Sequence, residues 1–436
     1  MAEIKQEVSS AGEGQSKALL QLNKMDYRIP PFMGIVVQRT QLVDRFVSAS
    51  YVAGQEMILD SQTGGALVNG RASRLNFVCT ITGTNPNTAT FGVSGSMANV
   101  IQRISIYNKN GDQLDVLENA NLWINQKKLW ERRAGDLSIM GNMSGFAAGQ
   151  SNIRAGTVPV AGAINSVLNF SIQMSDISPI FDTDQFLPWQ MMQGLKIRIT
   201  LAPNLDALVN TDAVIYTITD PTITWDVTTI ADQFKRKLNE ISAKTGLYMV
   251  HKAVHNDQTQ FSGNLNFQLT KPVSKAIKCH VVNRLATASV ITTDYMSSFR
   301  FDWGTVQARL SNIFFPQQAI VSSATQQTQL YMSQLSAWNH LSGSNSMEYT
   351  APAVLYYLTA SEFSFGHNAD EKTRASWTID LVKNQVDDLQ GYAINSSRTL
   401  NLSATSLIAG TAKRTDIYLQ YLKLITYYAD RAIVKE

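Results

Sequence analysis

The candidate zinc ligands of the sequence are two histidines at helical spacing. His251 and His255 lie four residues apart in YMVHKAVHND, and on a helix this spacing places both imidazoles on one face as a zinc pair. No Glu follows His251 as the pattern HExxH requires, and the segment is equally typical of a strand or a loop. We therefore interpret the pair as ordinary surface or edge histidines. The other three histidines stand alone among polar or aromatic residues and suit packing roles: His280, His340 and His367.

Two pairs of neighbouring carboxylates are the candidates for calcium binding or acid–base chemistry. They are Asp182 with Asp184 in FDTDQF, and the adjacent Asp387 and Asp388. The first pair lacks the downstream glycine and bidentate glutamate of a calcium loop, and short acidic runs between strands are usually solvated turns. We interpret both pairs as structural. Two distant carboxylates could still form a glycosidase pair, so a glycan-processing enzyme stays open as a minor hypothesis.

The densest basic group lies in one predicted helix. It consists of Lys127, Lys128, Arg132 and Arg133, and the spacing predicts one exposed face, solvated or paired with acids of a neighbouring subunit. The motifs GxSxG, Walker A and GxGxxG do not occur in the sequence. We therefore expect no catalytic residue, no cofactor site, no metal site and no enzymatic activity.

The composition indicates a large core and a neutral surface. Of the 436 residues, 44% are hydrophobic and 16% are charged, and the net charge is +3 with scattered basic residues. This distribution argues against specific nucleic-acid binding, and a charge-poor surface is typical of a protein packed against neighbours. Since the sequence has no run of 18 apolar residues, we predict no transmembrane segment. Cys79 and Cys279, with no CxxC motif or secretory signal pattern, are predicted to be buried thiols.

Alternation of apolar and polar residues predicts strands through most of the chain. In the segment from Leu195 to Leu201 the odd-numbered positions are apolar and the even-numbered positions are Lys, Arg and Thr, which is the period of a strand. The segments 103–108 and 113–118 flank Asn110 and Gly111, and this dipeptide predicts a type I′ hairpin turn.

Three helices are predicted. The first spans Asn121–Arg133 with Trp123 and Trp130 on it, and the second spans Gln327–Leu341 with Tyr331, Leu335 and Trp338 on one stripe. The third spans Thr229–Lys244, where Thr229 and Asp232 resemble a capping box and Gly246 is the predicted stop.

Three landmarks recur in the same order in both halves of the chain, which indicates an internal duplication. Cys79 recurs as Cys279, 200 residues later, and the strand at Leu195 recurs near Leu400. The helix residues Leu122, Trp123, Gln126 and Trp130 recur 208 residues later as Leu330, Tyr331, Gln334 and Trp338. We predict an all-β fold of two consecutive antiparallel jelly-roll β-sandwiches with a few inserted helices. The predicted division is an N-terminal tail at 1–34, a first jelly roll at 35–229, a connector helix at 230–246 and a second jelly roll at 247–436.

Four stretches carry a resemblance to a known family. They are GRASRLNF from Gly70 to Phe77, the hairpin-and-helix stretch from Ser94 to Trp130, RLSNIFFPQQ from Arg309 to Gln318, and the final strands from Asp416 to Val434. In their order the chain resembles the double jelly-roll major capsid proteins of tailless icosahedral double-stranded DNA viruses, in the style of polinton-like viruses and virophages. The resemblance spans roughly residues 35–436, chiefly as element order.

The resemblance implies a structural role in the virion. It implies homotrimers that form pseudo-hexagonal capsomers, which tile the icosahedral capsid shell. The implied partners are further copies of the chain, penton proteins and minor capsid or cement proteins, while contact with an inner lipid layer is left open. The alternative function is a two-domain β-sandwich that binds glycans as an adhesin or lectin.

Overall fold

The structure of the protein is a computed structural model. It describes residues 36–61, 66–83, 97–131, 165–207, 214–285, 303–321, 328–338, 376–382, 391–406, 413–428 and 432–436. The predicted tail at 1–34 lies outside these residues.

The first half of the chain forms two antiparallel sheets. One has the order β1-β9-β4-β7 with β2 also paired to β9, and the other has the order β3-β8-β5-β6. The strands are β1 (Val36–Arg45), β2 (Ser50–Val52), β3 (Glu56–Asp60), β4 (Leu67–Gly83), β5 (Ile101–Tyr107), β6 (Gln113–Glu118), β7 (Asn165–Gln173), β8 (Lys196–Leu201) and β9 (Val214–Ile230).

The second half repeats this topology. Its sheets have the orders β10-β18-β12-β15, with β16 and β19 as additions, and β11-β17-β13-β14. The strands are β10 (Leu247–Phe261), β11 (Asn264–Leu269), β12 (Val273–Leu285), β13 (Trp303–Leu310), β14 (Ile313–Val321), β15 (Ser376–Asp380), β16 (Tyr392–Ile394), β17 (Leu400–Ser406), β18 (Lys413–Tyr427) and β19 (Ala432–Lys435). Two packed antiparallel sheets that share this order of four main strands form a jelly roll, so the predicted fold class is confirmed. We call the two units the first and second sandwich.

Six α-helices lie in the described residues. They are α1 (Ala120–Glu131), α2 (Met174–Ile177), α3 (Trp189–Met192), α4 (Asn204–Ala207), α5 (Asp232–Lys244) and α6 (Thr328–Ala337). Helix α5 joins the last strand of the first sandwich to the first strand of the second. Within the same residues, no helix has the length and apolar character needed to cross a membrane.

The alternation seen in the sequence places the core between the two sheets of each sandwich. In β8 the side chains of Ile197, Ile199 and Leu201 are fully buried, while Arg198 on the opposite face is exposed. In the second sandwich the rings of Trp303 and Trp377 meet edge to face across the core at 6.1 Å.

The duplicated landmarks occupy equivalent strands. Cys79 lies on β4 opposite Ile218 of β9, and Cys279 lies on β12 opposite Leu419 of β18. Both cysteines are free and buried, as predicted. The strands at Leu195 and Leu400 are β8 and β17, which hold the same position in the sheet order.

The predicted type I′ turn is wrong. Gly111 has a positive φ of 88°, but Asn110 does not have one. The backbone N–H of Gly111 donates to the carbonyl of Asn108 at 3.1 Å, so the turn centres one residue earlier than predicted. The cause is the Asn108 side chain, whose Oδ1 accepts the backbone N–H groups of Asn110 and Asp112.

The predicted capping box of α5 is also wrong, whereas its predicted end is confirmed. Thr229 pairs with Gln38 as part of β9, and the N-cap residue is Ala231, which makes no side-chain capping bond. Gly246 has a φ of 80° and donates its N–H to the carbonyl of Ile241, which is a helix stop of the predicted kind.

We expect Gly70→Ala to lower the melting temperature. A Cβ at Gly70 would lie 2.6 Å from the carbonyl oxygen of Phe181, so backbone must shift at a cost of about 1–3 kcal/mol. The matched control is Gly263→Ala, where a Cβ meets no atom within 4 Å. Calorimetry should show a decrease for the first variant alone, and equal melting temperatures would contradict the close approach.

Candidate functional site at the junction of the two sandwiches

Helix α1 of the first sandwich lies on the outer face of the β10-β18-β12-β15 sheet of the second sandwich. His280 pairs in register with Tyr418 on one side and Thr378 on the other. These three side chains point away from the core, because their neighbours Cys279 and Leu419 point into it. All three are buried, so this outer face is an internal surface of the protein.

Aromatic rings from both sandwiches meet at this face. The ring of Trp123, on α1, lies 5.3 Å from that of Tyr418 and 6.3 Å from that of Trp338. His280 stands edge to face against both tryptophans, at 6.2 and 5.7 Å, a favoured geometry for such rings. The ammonium group of Lys278 lies 3.6 Å from the Trp338 ring centroid, which adds a cation–π contact.

Hydrogen bonds link the same residues across the junction. His280 Nδ1 lies 2.7 Å from Thr378 Oγ1, and Nε2 lies 3.3 Å from Gln126 Oε1 on α1. Trp338 Nε1 donates to Thr378 Oγ1 at 3.1 Å, and the Thr378 hydroxyl donates to Gln334 Oε1 on α6. The two glutamines are the pair that recurs in the sequence at a separation of 208 residues. The helices of both sandwiches therefore hold one network.

His280 is neutral in this network. Burial is the main cause that lowers its pKa, with a smaller contribution from the positive charge of Lys278, and together they bring the pKa to about 3. A neutral imidazole with partners on both nitrogens satisfies the requirement that buried polar groups be hydrogen-bonded. The arrangement is structural, because the ring is enclosed by protein.

The residue that precedes α1 makes a second set of contacts across the junction. Asn119 has a φ of 45°, a conformation that Asn tolerates better than most residues. Its carbonyl accepts the Tyr418 hydroxyl at 3.0 Å, its Nδ2 donates to Asn256 Oδ1 at 2.7 Å, and its Oδ1 accepts from Arg414 at 3.2 Å. Asn119 thus fixes where α1 begins relative to the second sandwich.

A buried ion pair lies on the same face. Arg284 Nε donates to Asp416 Oδ2 at 2.6 Å, and both side chains are almost fully buried. Asp206 of the first sandwich lies within electrostatic range of Arg284 and Arg414. Burial raises the pKa of Asp206, and the two arginines partly oppose that rise. A buried pair of this kind is costly to break.

The structure places the predicted carboxylate pair in a different ion-pair cluster. Arg71 contacts Asp182 at 2.9 Å and also contacts Asp184, while Lys127 Nζ lies 2.5 Å from Asp182 Oδ2. The prediction that Lys127 lies on an exposed face is wrong, because its side chain is buried against Asp182 and the carbonyl of Ser175. The structural interpretation of the two carboxylates agrees with these pairs. The side chain of Lys128 lies outside the described residues, and so do Arg132 and Arg133.

Asp182 is ionised at neutral pH. Burial by itself raises the pKa of Asp182, but the charges and hydrogen bonds of Lys127 and Arg71 outweigh burial and lower the pKa to about 2.

The two histidines at helical spacing lie on a strand. His251 and His255 both belong to β10. His251 is buried with Nε2 3.9 Å from Asp115 Oδ1, so it is not a surface residue, although β10 is an edge strand of its sheet. His255 is partly exposed and lies 3.3 Å from Asp257. Among the described residues, no cluster of three His, Cys, Asp or Glu could hold a metal ion.

Several other predictions lie outside the described residues. These are His340, His367, Asp387 and Asp388, together with the side chains of Trp130, Tyr331 and Leu335. The cysteine thiols are inert, since burial raises the pKa of Cys79 to about 12 and raises that of Cys279 as well.

Comparison with solved structures identifies chains of the same architecture. The Faustovirus major capsid protein aligns with a TM-score of 0.60 at 7% identity, over 89% of this chain and 90% of that one. A chain of the Sputnik virophage aligns at 0.58 and 13% identity, over 92% and 89%. The mavirus major capsid protein aligns at 0.51 and 12%, over 94% and 93%. No protein-family model and no curated protein sequence matches the chain. The chain therefore has the double jelly-roll fold found in these major capsid proteins.

We expect acid to weaken the protein through His280 between about pH 6.5 and pH 3. The folded-state pKa is below the ordinary value of 6.5, so the unfolded chain binds a proton first as the pH falls. Stability is then fully present above pH 6.5, and up to about 5 kcal/mol is lost as the pH approaches 3. Calorimetry of wild type and His280→Gln at pH 7, 5 and 4 should show the difference in melting temperature shrinking with acid. A constant difference would contradict this assignment.

Protonation of Asp182 is expected to lower the stability of the fold in a second pH range, which is more acidic than the range for His280. Its depressed pKa stabilises the fold above about pH 4, and this contribution disappears as the pH falls toward 2. Asp182→Asn should therefore cost about 2 kcal/mol at pH 7 and little at pH 2. The matched control is Asp184→Asn, whose side chain is 81% exposed and which should cost at most about 1 kcal/mol. Denaturant titrations in which both variants behave alike would disprove the role of Lys127 at Asp182.

Proposed function

We propose that the protein is the major capsid protein of a tailless icosahedral double-stranded DNA virus. The observation that carries the proposal is the pair of jelly rolls with identical strand order, packed side by side through α1. The same architecture extends over about nine-tenths of the chain in the major capsid proteins of Faustovirus and mavirus. The role is structural and involves no turnover, and the protein resides in the capsid shell of the virion.

The proposed assembly unit is a homotrimer. Three chains supply six sandwiches, which gives a pseudo-hexagonal capsomer, and the capsomers tile the shell edge to edge. The low content of charged residues, 16% of the chain, favours this use because it limits repulsion between many identical neighbours. The proposed further partners are penton proteins and minor capsid or cement proteins.

We also propose the division of the chain that the sequence suggested. It has a tail at 1–34, a first jelly roll at 35–229, a connector helix at 230–246 and a second jelly roll at 247–436. The strand content of the two sandwiches and the place of α5 between β9 and β10 support this division. The alternative, a glycan-binding adhesin or lectin, has less support because the Faustovirus and mavirus proteins of the same fold are major capsid proteins.

Purified protein is expected to form trimers at micromolar concentration. Light scattering coupled to size-exclusion chromatography should give three times the chain mass of 48.2 kDa, and negative-stain images should show pseudo-hexagonal particles. A stable monomer that binds ligands on a glycan array would instead favour the lectin alternative.

A further inference from the structure

A histidine without hydrogen-bond partners lies between the two sandwiches. His251 belongs to β10, an edge strand of the second sandwich, and its side chain is 0% exposed. Neither of its ring nitrogens forms a hydrogen bond with the residues that the structure describes. Buried polar groups are hydrogen-bonded in the great majority of cases, so a neutral ring at this position lacks the contacts that normally stabilise one.

A buried carboxylate of the first sandwich lies beside this ring. Asp115 is on β6, the edge strand that packs against β10, and its side chain is 4% exposed. Its Oδ2 accepts the hydroxyl of Ser178 at 2.9 Å, and its Oδ1 lies 3.9 Å from His251 Nε2. Among the basic side chains in the described residues, only that of His251 comes within 4.0 Å of this carboxylate. A buried ionised carboxylate is costly unless a countercharge pairs with it, and a protonated His251 would supply that charge.

The positive charge next to His251 on the same sheet already has an anionic partner. Lys423 lies opposite His251 in the ladder of β10 and β18. Its ammonium group is 3.1 Å from the carboxylate of Glu436, which also pairs with Lys271. Strand β11 and residues 179–181 adjoin β10 as well, and they contain no ionisable side chain. The charges of the second sandwich therefore balance one another and leave Asp115 to His251.

Two tyrosines complete the ionisable surroundings of Asp115. Burial is the main cause that raises the pKa of Tyr421 and of Tyr427, and the negative charge of Asp115 adds to the rise for both. Both hydroxyls are therefore neutral at ordinary pH, and neither can balance the carboxylate.

We infer that the junction takes up a proton at His251 and that the resulting imidazolium pairs with Asp115. Charge-assisted N–H···O bonds measure about 2.7–2.9 Å, so the two groups have to approach by about 1 Å. The pair joins β6 to β10, which belong to different sheets, and it adds a proton-dependent contact between the sandwiches. Because the pair forms within one chain, a monomeric wild type would overturn the proposed trimer and leave this pair intact.

The sign of the pH dependence follows from the charges. The charge of a histidine ordinarily changes between pH 5 and 8. The pair is therefore present on the acidic side of this range, and it is lost as the pH rises and Asp115 remains without a countercharge. The contribution of His280 has the opposite sign, because it is lost as the pH falls. The two histidines together give the junction its greatest stability at a mildly acidic pH.

An NMR titration measures the protonation of His251 directly. In protein labelled with ¹³C at histidine Cε1, the His251 signal is the one absent from His251→Gln. In the wild type it should move to its protonated position between pH 8 and pH 5. In Asp115→Asn the proton affinity of His251 should fall at least about tenfold, because an opposite charge at this distance shifts a titration by about 1–3 pH units.

The matched control is Asp257→Asn on the same strand. Asp257 lies 3.3 Å from His255, and both side chains are one-third exposed, so this variant should leave the titration of His251 unchanged. Equal titration midpoints for His251 in the wild type and in Asp115→Asn would overturn the proton-dependent pair. A wild-type His251 signal that stays in its neutral position down to pH 5 would overturn it as well, and this result does not depend on the folding of any variant.

A double-mutant cycle measures whether the proton strengthens the contact between the sandwiches. Denaturant titrations at pH 6 and pH 8.5 compare the wild type, Asp115→Asn, His251→Gln and the double variant. The coupling of the two positions should change the unfolding equilibrium constant about tenfold or more at pH 6 and less than about twofold at pH 8.5. The contribution of His280 is common to all four proteins and cancels. A coupling of the same size at both pH values would contradict a pair that forms on protonation.

Discussion

The burial of one sheet's outer face beneath a helix of the other sandwich is the constraint on which the arrangement of the protein depends. An outer sheet face normally meets water, but here it holds a neutral imidazole, a threonine hydroxyl and an Arg–Asp pair away from solvent. Buried polar groups of this kind are stable only with partners in correct geometry. In the first sandwich, Gln126 contacts the imidazole, Trp123 packs on Tyr418, and the Asn119 carbonyl accepts the Tyr418 hydroxyl. These contacts define one relative position of the two units.

The sequence was informative where a local pattern reports burial directly. Alternation identified β8, and the recurrence of Cys79 and Gln126 at Cys279 and Gln334 identified the duplication. These features depend on the periodicity of apolar residues and on side chains that are buried in the protein whichever residues they contact. The recurring glutamines were also the available signal for the junction, although the sequence did not show that both would bind around His280.

Other predictions failed because a competing interaction decided the outcome. The Asn108 side chain accepts the backbone N–H of Asn110 and moves the turn away from the position that Asn110 and Gly111 indicated. Thr229 is paired as part of β9 and therefore does not cap a helix. The Lys127 side chain is buried because it pairs with Asp182, which lies 55 residues away in the sequence. No local pattern contains such a distant contact, so an exposed helix face and a buried ion pair look alike in the sequence.

The covalent link through α5 changes the energetics of association between the sandwiches. A helix of 13 residues spans about 20 Å, so the second sandwich folds within reach of the first. Its effective concentration there is of the order of millimolar for a short tether, and the loss of translational freedom that separate proteins suffer on binding is largely avoided. The contacts of the junction can therefore offset the free-energy cost of desolvating His280 and Asp416. Two separate proteins that formed the same contact would have to offset this cost at every association.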